Sequence, residues 1–106
     1  MEESKFLYLT TTGWKSLKPH QIEIWYVELN GRYYLVSEHR EKSHWVKNIQ
    51  HIPAISFRVG IDSFEGTGRV VDSTAEPLLA AEVSKLMDAK YEWSDGLIVE
   101  LAPFNT

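Results

Sequence analysis

The sequence predicts a single, mainly β domain over residues 1–106, a small β-barrel of about six strands with one short helix and one longer helix near the C-terminus. Three features point to it. Runs rich in β-branched and aromatic residues alternate with Gly- and Pro-containing turns. An Asn30-Gly31 pair joins two of these runs as a hairpin, and a long apolar helical repeat occurs only late in the chain.

The first three strands are predicted between Lys5 and Ser37. Lys5 to Thr12 is β-prone, and the Gly13 to Pro19 segment breaks it. Gln21 to Leu29 is predicted as one continuous strand that is apolar on both faces, with the barrel interior on one side and another covering surface on the other. Asn30-Gly31 tolerates positive φ and therefore predicts a type I′ turn into the third strand, Arg32 to Ser37.

A short helix follows the third strand. Ser43 is positioned to cap it, Pro53 ends it, and Trp45, Ile49 and Ile52 have helical spacing. Two more strands are predicted next, over residues 54–59 and 64–71.

The longer helix is predicted from a capping box, Ser73 to Glu76, with Pro77 in its first turn and an end near Lys90. Its buried stripe consists of four apolar residues, Leu79, Val83, Leu86 and Met87. An Asp95-Gly96 turn then leads into a closing strand over residues 97–101.

The positive charge of the chain is concentrated in one segment. The whole chain has a net charge of -4, but residues 13 to 51 hold six Lys/Arg against four Asp/Glu, together with all four histidines. A local cationic zone on an acidic protein favours a small anion over nucleic acid, which needs many phosphate contacts. We therefore expect a small-molecule partner and no nucleic acid, with ordinary solvated surface charge as the alternative.

Several site types are not expected. The absence of cysteine excludes disulfides, thiolate metal sites and cysteine nucleophiles. His39, His44 and His51 match no metal-ligand spacing, and no serine elbow or triad pattern indicates a hydrolase. No apolar run has the length of a membrane span and the N-terminus lacks a leader pattern, so we expect a cytoplasmic protein with no membrane partner.

Five segments follow one another in a recognisable order: Thr10 to Ser16, Trp25-Tyr26, Ser37, Trp45 to Ile49, and Ile98 to Pro103. This succession resembles the deazaflavin-dependent nitroreductase family, which belongs to the flavin-binding split-barrel group that also holds the pyridoxamine-phosphate oxidases. The resemblance implies an FMN-binding-type split β-barrel. It also implies an oxidoreductase that uses the reduced deazaflavin coenzyme (F-420) or FMN to pass hydride to a quinone, nitro or other unsaturated acceptor.

The resemblance assigns site residues by position. It implies eight cofactor-binding residues, namely Thr11, Thr12, Lys15, Ser16, Ser37, Lys42, Trp45 and Asn48. Backbone N–H groups in a Gly turn together with a lysine suit the phosphate and acidic tail of such a cofactor. Tyr26 is a candidate proton or hydrogen-bond donor to the acceptor, although a strand tyrosine is usually a packing residue.

This chain departs from the family pattern in the same turn. Trp14, Leu17 and His20 stand where the family usually has Arg, Gly and Arg. The loss of two guanidiniums favours a smaller cofactor such as FMN, or a cofactor-poor relative. The competing class is a non-enzymatic flavin or haem binding module. The segment from Tyr91 to Gly96 is either a helix end with its turn or, as in the family, a flap near the substrate.

A homodimer is also expected. Four Trp, five Tyr and four Phe, together with a strand that is apolar on both faces, give more apolar surface than one small core readily hides. In the resembled group the cofactor commonly lies at or near a two-fold interface, so dimerisation would also complete the site.

Overall fold

Seven antiparallel strands form one curled sheet in the computed structural model, which describes residues 4–104. The strands are β1 (Phe6–Thr12), β2 (Pro19–Trp25), β3 (Val27–Leu29), β4 (Arg32–Ser37), β5 (Ala54–Val59), β6 (Asp62–Val70) and β7 (Leu97–Pro103). Their order in the sheet is β2-β1-β5-β6-β7-β4-β3. Two α-helices, α1 (His44–His51) and α2 (Pro77–Tyr91), and a 3-10 turn over Arg40–Lys42 complete the described chain.

The strand predicted from Gln21 to Leu29 is divided at Tyr26, so the prediction of one continuous strand was wrong. β2 pairs with β1, with Ile24 opposite Leu7, whereas β3 pairs with β4, with Val27 opposite Tyr34. β2 and β3 therefore lie at opposite ends of the strand order although only Tyr26 separates them in the chain. This connection draws the two edges of the sheet toward each other and gives a half-barrel with seven strands instead of six.

The division also explains why both faces of that segment are apolar. Ile22 and Ile24 pack against the core inside the curl of the sheet, whereas Trp25 and Leu29 pack against a second core beneath α2. The inner core is built around Leu7, Leu9, Leu35, Val46, Ile49 and Leu101. The second core contains Tyr34, Val36, Val83, Met87 and Ile98. The chain therefore buries apolar surface on both faces of the sheet, as expected for strands covered on both sides.

Most of the other strand predictions are confirmed. Asn30 and Gly31 have φ values of 54° and 78°, as the predicted turn requires, and they join β3 to β4. β4 and β5 have the predicted bounds, while β6 begins at Asp62 instead of Phe64 and β7 extends to Pro103.

The caps of both helices differ from the prediction. Ser43 precedes α1, but its hydroxyl lies 2.8 Å from Oγ of Ser37 and makes no hydrogen bond to the helix. Glu76 is the residue that precedes α2, and its carboxylate is held by Arg69 at 2.7 Å and 3.0 Å instead of forming a capping box. Asp72 instead accepts the backbone N–H of Thr74 at 2.9 Å. The Glu76 carboxylate is therefore paired with an arginine of β6, and no side chain within the described chain caps the first turn of α2.

The buried faces of the two helices follow the predicted spacing in part. In α1 the buried apolar residues are Val46 and Ile49, while Trp45 is only half-buried. In α2 Val83 and Met87 are fully buried, as predicted. Within residues 4–104, neither helix has the length and apolar character needed to cross a membrane.

A buried carboxylate ties α2 to the sheet. Glu100 is 3% exposed and accepts hydrogen bonds from the Tyr34 hydroxyl at 2.8 Å and from Nε of Arg69 at 2.9 Å. Burial alone would raise the pKa of Glu100, but the hydrogen bonds from Arg69 and Tyr34 hold it below its usual value. Burial and the hydrogen bond to Glu100 raise the pKa of Tyr34 to about 12. Because Arg69 also holds Glu76, the network links β4, β6 and β7 to the start of α2.

Candidate functional site

A groove of about 650 Å³ opens between the Gly13 turn, β2 and α1. Its lining residues are Thr11, Gly13, Trp14, Lys15, Ser16, Pro19, His20, Gln21, Ile22, His44, Trp45, Lys47 and Asn48. Among these described residues two are lysines, two are histidines and none carries a carboxylate. On a chain with a net charge of -4 this is a local concentration of positive charge, and we name it the cationic groove.

The Gly13 turn closes on itself through its backbone. The Gly13 N–H donates to the carbonyl of Lys18 at 2.8 Å, the Leu17 N–H donates to the carbonyl of Gly13 at 2.8 Å, and the Lys18 N–H donates to Oγ of Ser16 at 3.2 Å. The N–H groups of Lys15 and Ser16 have no hydrogen-bond partner within the described chain. The turn therefore offers a ligand two backbone donors, fewer than a fully open Gly turn would supply.

Gly13 lies close to the side chains of Ser16 and His20, so a larger residue there would require these two exposed side chains to move. A Cβ atom there would lie 2.8 Å from Nε2 of His20, which is closer than such atoms pack. Nε2 of His20 lies 3.3 Å from Oγ of Ser16 at the mouth of the turn.

Asn48 fixes the position of α1 against the Gly13 turn. Its Nδ2 donates to Oγ1 of Thr11 at 3.0 Å, and its Oδ1 accepts the backbone N–H of Trp14 at 3.2 Å. Asn48 is 6% exposed and Thr11 is also buried. Both ends of the Asn48 amide are thus occupied by the protein, so this side chain holds the floor of the groove in shape.

Trp14 and its neighbours form the rim. The Trp14 ring stacks on His51 with their centroids 4.2 Å apart, and Nζ of Lys15 lies 4.7 Å from the Trp14 ring centroid. An ammonium group over an aromatic face is attracted to the ring while its other side stays open to an anion.

Five of the eight predicted cofactor-binding residues line the cationic groove: Thr11, Lys15, Ser16, Trp45 and Asn48. Thr12 does not line it, because it ends β1 and pairs opposite Pro19. Lys42 lies in the exposed 3-10 turn and lines neither the cationic groove nor two other surface grooves of residues 4–104. The cofactor contacts assigned to Thr12 and Lys42 are therefore not supported by their positions.

Ser37, the eighth residue, has a different neighbourhood from the one predicted. It is buried, donates to the carbonyl of Arg40 at 3.0 Å, and contacts Ser43. Its hydroxyl therefore holds the turn before α1 instead of facing the cationic groove.

Sequence reasoning missed four groove residues: Trp14, His20, His44 and Lys47. The spacing of His44, Lys47 and His51 at i, i+3 and i+7 could have placed them on one face of the predicted helix. Within residues 4–104 no group of three His, Cys, Asp or Glu side chains is arranged to hold a metal ion.

A second groove of about 540 Å³ shares Trp45 with the first. It is lined by Phe6, Glu23, Ile24, Trp25, Val36, Ser37, Glu38, His39, Ser43, Trp45 and Trp93. Three tryptophans and a phenylalanine give it flat apolar walls, and we name it the aromatic groove. Trp93 follows the C-terminal end of α2, and its side chain forms part of the wall of this groove.

Tyr26 lies in neither groove. It is 2% exposed, belongs to the inner core, and has Nζ of Lys90 3.8 Å from its ring centroid. An acceptor bound in either groove would therefore not contact the Tyr26 hydroxyl. Tyr26 packs in the inner core.

The residues of the cationic groove fit an anionic aromatic cofactor. The two lysines, two histidines and two backbone N–H groups suit phosphate and carboxylate groups. Trp45 lines both this groove and the aromatic groove, so the two grooves are adjacent. The absence of acidic lining residues means that no fixed negative charge opposes such a ligand.

Solved structures show the same fold. One is an F420-H2 dependent reductase, with 24% identity and a TM-score of 0.65 over 92% of this chain and 93% of that one. A putative pyridoxamine 5'-phosphate oxidase from Listeria innocua has 14% identity and a TM-score of 0.68 over 95% and 85% of the two chains. The haem storage protein HutZ from Vibrio cholerae has 17% identity and a TM-score of 0.70 over 97% and 84%. These likenesses establish the split-barrel fold.

The sequence itself identifies the family. Curated proteins gave no match to this chain. A family model described as F420H(2)-dependent quinone reductase matches residues 1–95. The chain therefore belongs to the F420H(2)-dependent quinone reductase family and is an oxidoreductase that uses the deazaflavin coenzyme.

Proposed function

We propose that this protein reduces quinones, with the anionic part of the deazaflavin coenzyme held in the cationic groove and the acceptor held in the aromatic groove beside Trp45. The observation that carries the proposal is the composition of the cationic groove, which has two lysines and two histidines and no carboxylate on a chain of net charge -4. Such a local field concentrates a small anion at one place on the surface.

Lys15 is the central anion-binding side chain in this proposal. Its ammonium stands over Trp14 at the rim, and its own N–H and that of Ser16 are available to a phosphate oxygen. Lys47 and His44 line the α1 side of the groove, and His20 lines it from the start of β2. Asn48 holds α1 against β1 and the Gly13 turn through its hydrogen bonds with Thr11 and Trp14.

The aromatic groove suits a flat acceptor. Trp25, Trp45 and Trp93 offer ring faces on which a quinone can stack, and open solvent at the groove mouth can supply a proton. The reduced deazaflavin, when bound, supplies a hydride, and a quinone that takes this hydride together with one proton becomes the hydroquinone. The protein contributes binding, orientation and partial exclusion of water, which accounts for a site built without a nucleophile or a metal cluster among the described residues.

A non-enzymatic binding module is the second candidate. The fold likeness to a haem storage protein supports it, because a haem carries carboxylates that the cationic groove would also accept. The aromatic groove next to the cationic one favours the enzyme, since a storage protein has no need of a second site for an acceptor.

We propose also that the protein is a homodimer. Large apolar side chains are exposed on the single chain, among them Ile61 (97%), Leu78 (87%) and Phe104 (60%). These side chains are available for contacts with a second copy of the chain.

A turnover experiment separates the two functions. Protein loaded with the reduced deazaflavin under anaerobic conditions is mixed with a naphthoquinone or with a nitroaromatic compound, and oxidation is followed by the fluorescence of the oxidised coenzyme. We expect catalytic oxidation with the quinone and slower oxidation with the nitro compound. Tight cofactor binding with no acceptor-dependent oxidation would instead establish a binding module, and preferential binding of haem would identify its ligand.

A further inference from the structure

The crossing of the chain between the two sheet edges is held by the end of α2. Tyr26 separates β2 from β3, so its backbone groups lie outside the paired stretches of both strands. The Tyr26 N–H donates to the Tyr91 hydroxyl at 3.0 Å. The Tyr26 carbonyl accepts from Nζ of Lys90 at 3.0 Å and lies 2.9 Å from the Tyr91 hydroxyl. Side chains from α2 therefore hydrogen-bond the backbone at the point where the chain passes from β2 to β3.

The same two residues also reach the N-terminal approach to β1. Nζ of Lys90 donates to the carbonyl of Ser4 at 3.0 Å, and the Tyr91 hydroxyl lies 2.6 Å from the carbonyl of Lys5. We name Lys90 and Tyr91 the crossover clasp, because together they join the β2–β3 crossing to the chain that leads into β1.

The clasp also contacts the wall of the aromatic groove. The Tyr91 ring stacks on Trp25 with their centroids 4.5 Å apart and an interplanar angle of 4°, and Trp93 meets Trp25 edge-on at 6.1 Å. Trp25 and Trp93 line the aromatic groove, whereas Lys90 and Tyr91 do not. The clasp thus reaches the groove through the tryptophan on which Tyr91 stacks.

We propose that Lys90 and Tyr91 are positioning residues that fix the Trp25 wall of the aromatic groove and thereby set the affinity for the acceptor. This inference rests on the proposed function of that groove. Apolar stacking alone permits several orientations of two rings, whereas the hydrogen bonds to the Tyr26 backbone specify one. The clasp does not contact the cationic groove, so its loss leaves cofactor binding unchanged.

The test uses Tyr91→Phe, which keeps the stacked ring and removes the hydroxyl, and Lys90→Met, which removes the ammonium. Lys90→Arg restores a cationic donor, and Lys85→Met changes an exposed lysine of the same helix as a matched control. Each variant is measured for quinone KM and kcat, for the cofactor dissociation constant, and, without cofactor, for acrylamide quenching of tryptophan fluorescence. A Trp25→Phe variant identifies the part of that fluorescence that belongs to Trp25.

We expect Tyr91→Phe and Lys90→Met to raise the quinone KM, by at most about fivefold, the factor that corresponds to the full net free energy of one hydrogen bond, with kcat and cofactor affinity little changed. Quenching of Trp25 increases in both variants, Lys90→Arg recovers most of the effect, and Lys85→Met behaves like the parent protein. A lower melting temperature with unchanged KM and unchanged quenching would show that the clasp is merely structural and would overturn the inference.

The quenching measurement also separates this inference from the proposed function. If the parent protein reduces no quinone, the proposed function fails by that result alone. Increased quenching of Trp25 in Tyr91→Phe would still support the positioning role of the clasp, and unchanged quenching would refute it.

Discussion

Lys15 and Lys18 differ in position although they are three residues apart in the same turn. Both side chains are exposed, but Lys15 lines the cationic groove and Lys18 does not. Lys15→Ala should therefore weaken cofactor binding by about 1.5–3 kcal/mol, or roughly 10- to 100-fold in the dissociation constant, because a charge-assisted contact is lost. Lys18→Ala should cost only a few tenths of a kcal/mol, about the value of an exposed charge. Fluorescence titration measures both, and equal effects would show that only diffuse charge matters.

Leu17 adopts a backbone conformation that suits glycine. Its φ is 60° and its side chain is 69% exposed, so nothing buried compensates for the left-handed geometry. We expect Leu17→Gly to raise the free energy of unfolding by about 1 kcal/mol, since a Cβ in this region is disfavoured by that amount.

Urea unfolding of Leu17→Gly can be compared with that of Asn30→Gly. Asn30 also has a positive φ, of 54°, but asparagine tolerates this conformation, so the control should change stability little. A loss of stability in Leu17→Gly would mean that the leucine side chain makes a stabilising contact that outweighs the backbone strain.

At the scale of elements, the carboxylate of Glu100 joins α2 to three strands. Because its pKa is lowered in the folded protein, the ionised form contributes stability above the unfolded pKa, and this contribution is lost as pH falls through the folded pKa. Glu100→Gln should therefore lower the free energy of unfolding at pH 7 by about 2 kcal/mol, the scale of hydrogen bonds to a charged group. The difference from the parent protein should shrink steadily below about pH 4, near the ordinary carboxyl pKa.

Unfolding measured at a series of pH values tests this dependence. Glu76→Gln provides the control, because that carboxylate is bound by the same arginine but lies at the surface, and its loss should have a smaller effect. A pH-independent difference between Glu100→Gln and the parent protein would mean that shape, and not charge, explains the role of Glu100.

Local sequence signals predicted most of the elements but not how they are joined. The Asn30-Gly31 hairpin and the strand from Ala54 to Val59 were predicted with their bounds, because both depend on neighbouring residues. The division at Tyr26 was missed, because an apolar strand that changes sheet edges has the same pattern as a continuous one. The capping box predicted for α2 does not form, because the Glu76 carboxylate is bound by Arg69 of β6.

The candidate site was predicted in outline. Lys15, Ser16 and Asn48, which the family resemblance assigns to the cofactor, line one groove, and their contacts with a cofactor stay a prediction. The motifs could not show that the Ser37 hydroxyl donates to the Arg40 carbonyl and lies against the Ser43 hydroxyl. These contacts depend on how the chain turns before α1. The motifs could not show that His44 and Lys47 line the same groove, because this depends on how α1 packs against the Gly13 turn.

At the scale of the whole molecule, the apolar surface predicts self-association. A dimer of the proposed kind would bury about 2,000 Å² or more in total. Light scattering at low micromolar concentration should report about twice the 12.2 kDa mass of the chain. Leu78→Lys, at an exposed apolar position of α2, should shift the mass toward the monomer if that face forms the interface. A monomer in the parent protein at that concentration would show that each chain binds its cofactor alone.

The central claim is that the cationic groove binds the deazaflavin coenzyme, and a direct titration tests it. Cofactor-free protein is titrated with the deazaflavin coenzyme, and in parallel with FMN, while the fluorescence of each is followed at low and high salt. We predict saturable binding of the deazaflavin with a dissociation constant of about 1–100 μM, because two guanidiniums of the family pattern are absent from the turn. Binding should weaken with added salt and in Lys15→Ala. Failure of both coenzymes to bind below high micromolar concentrations would contradict the account.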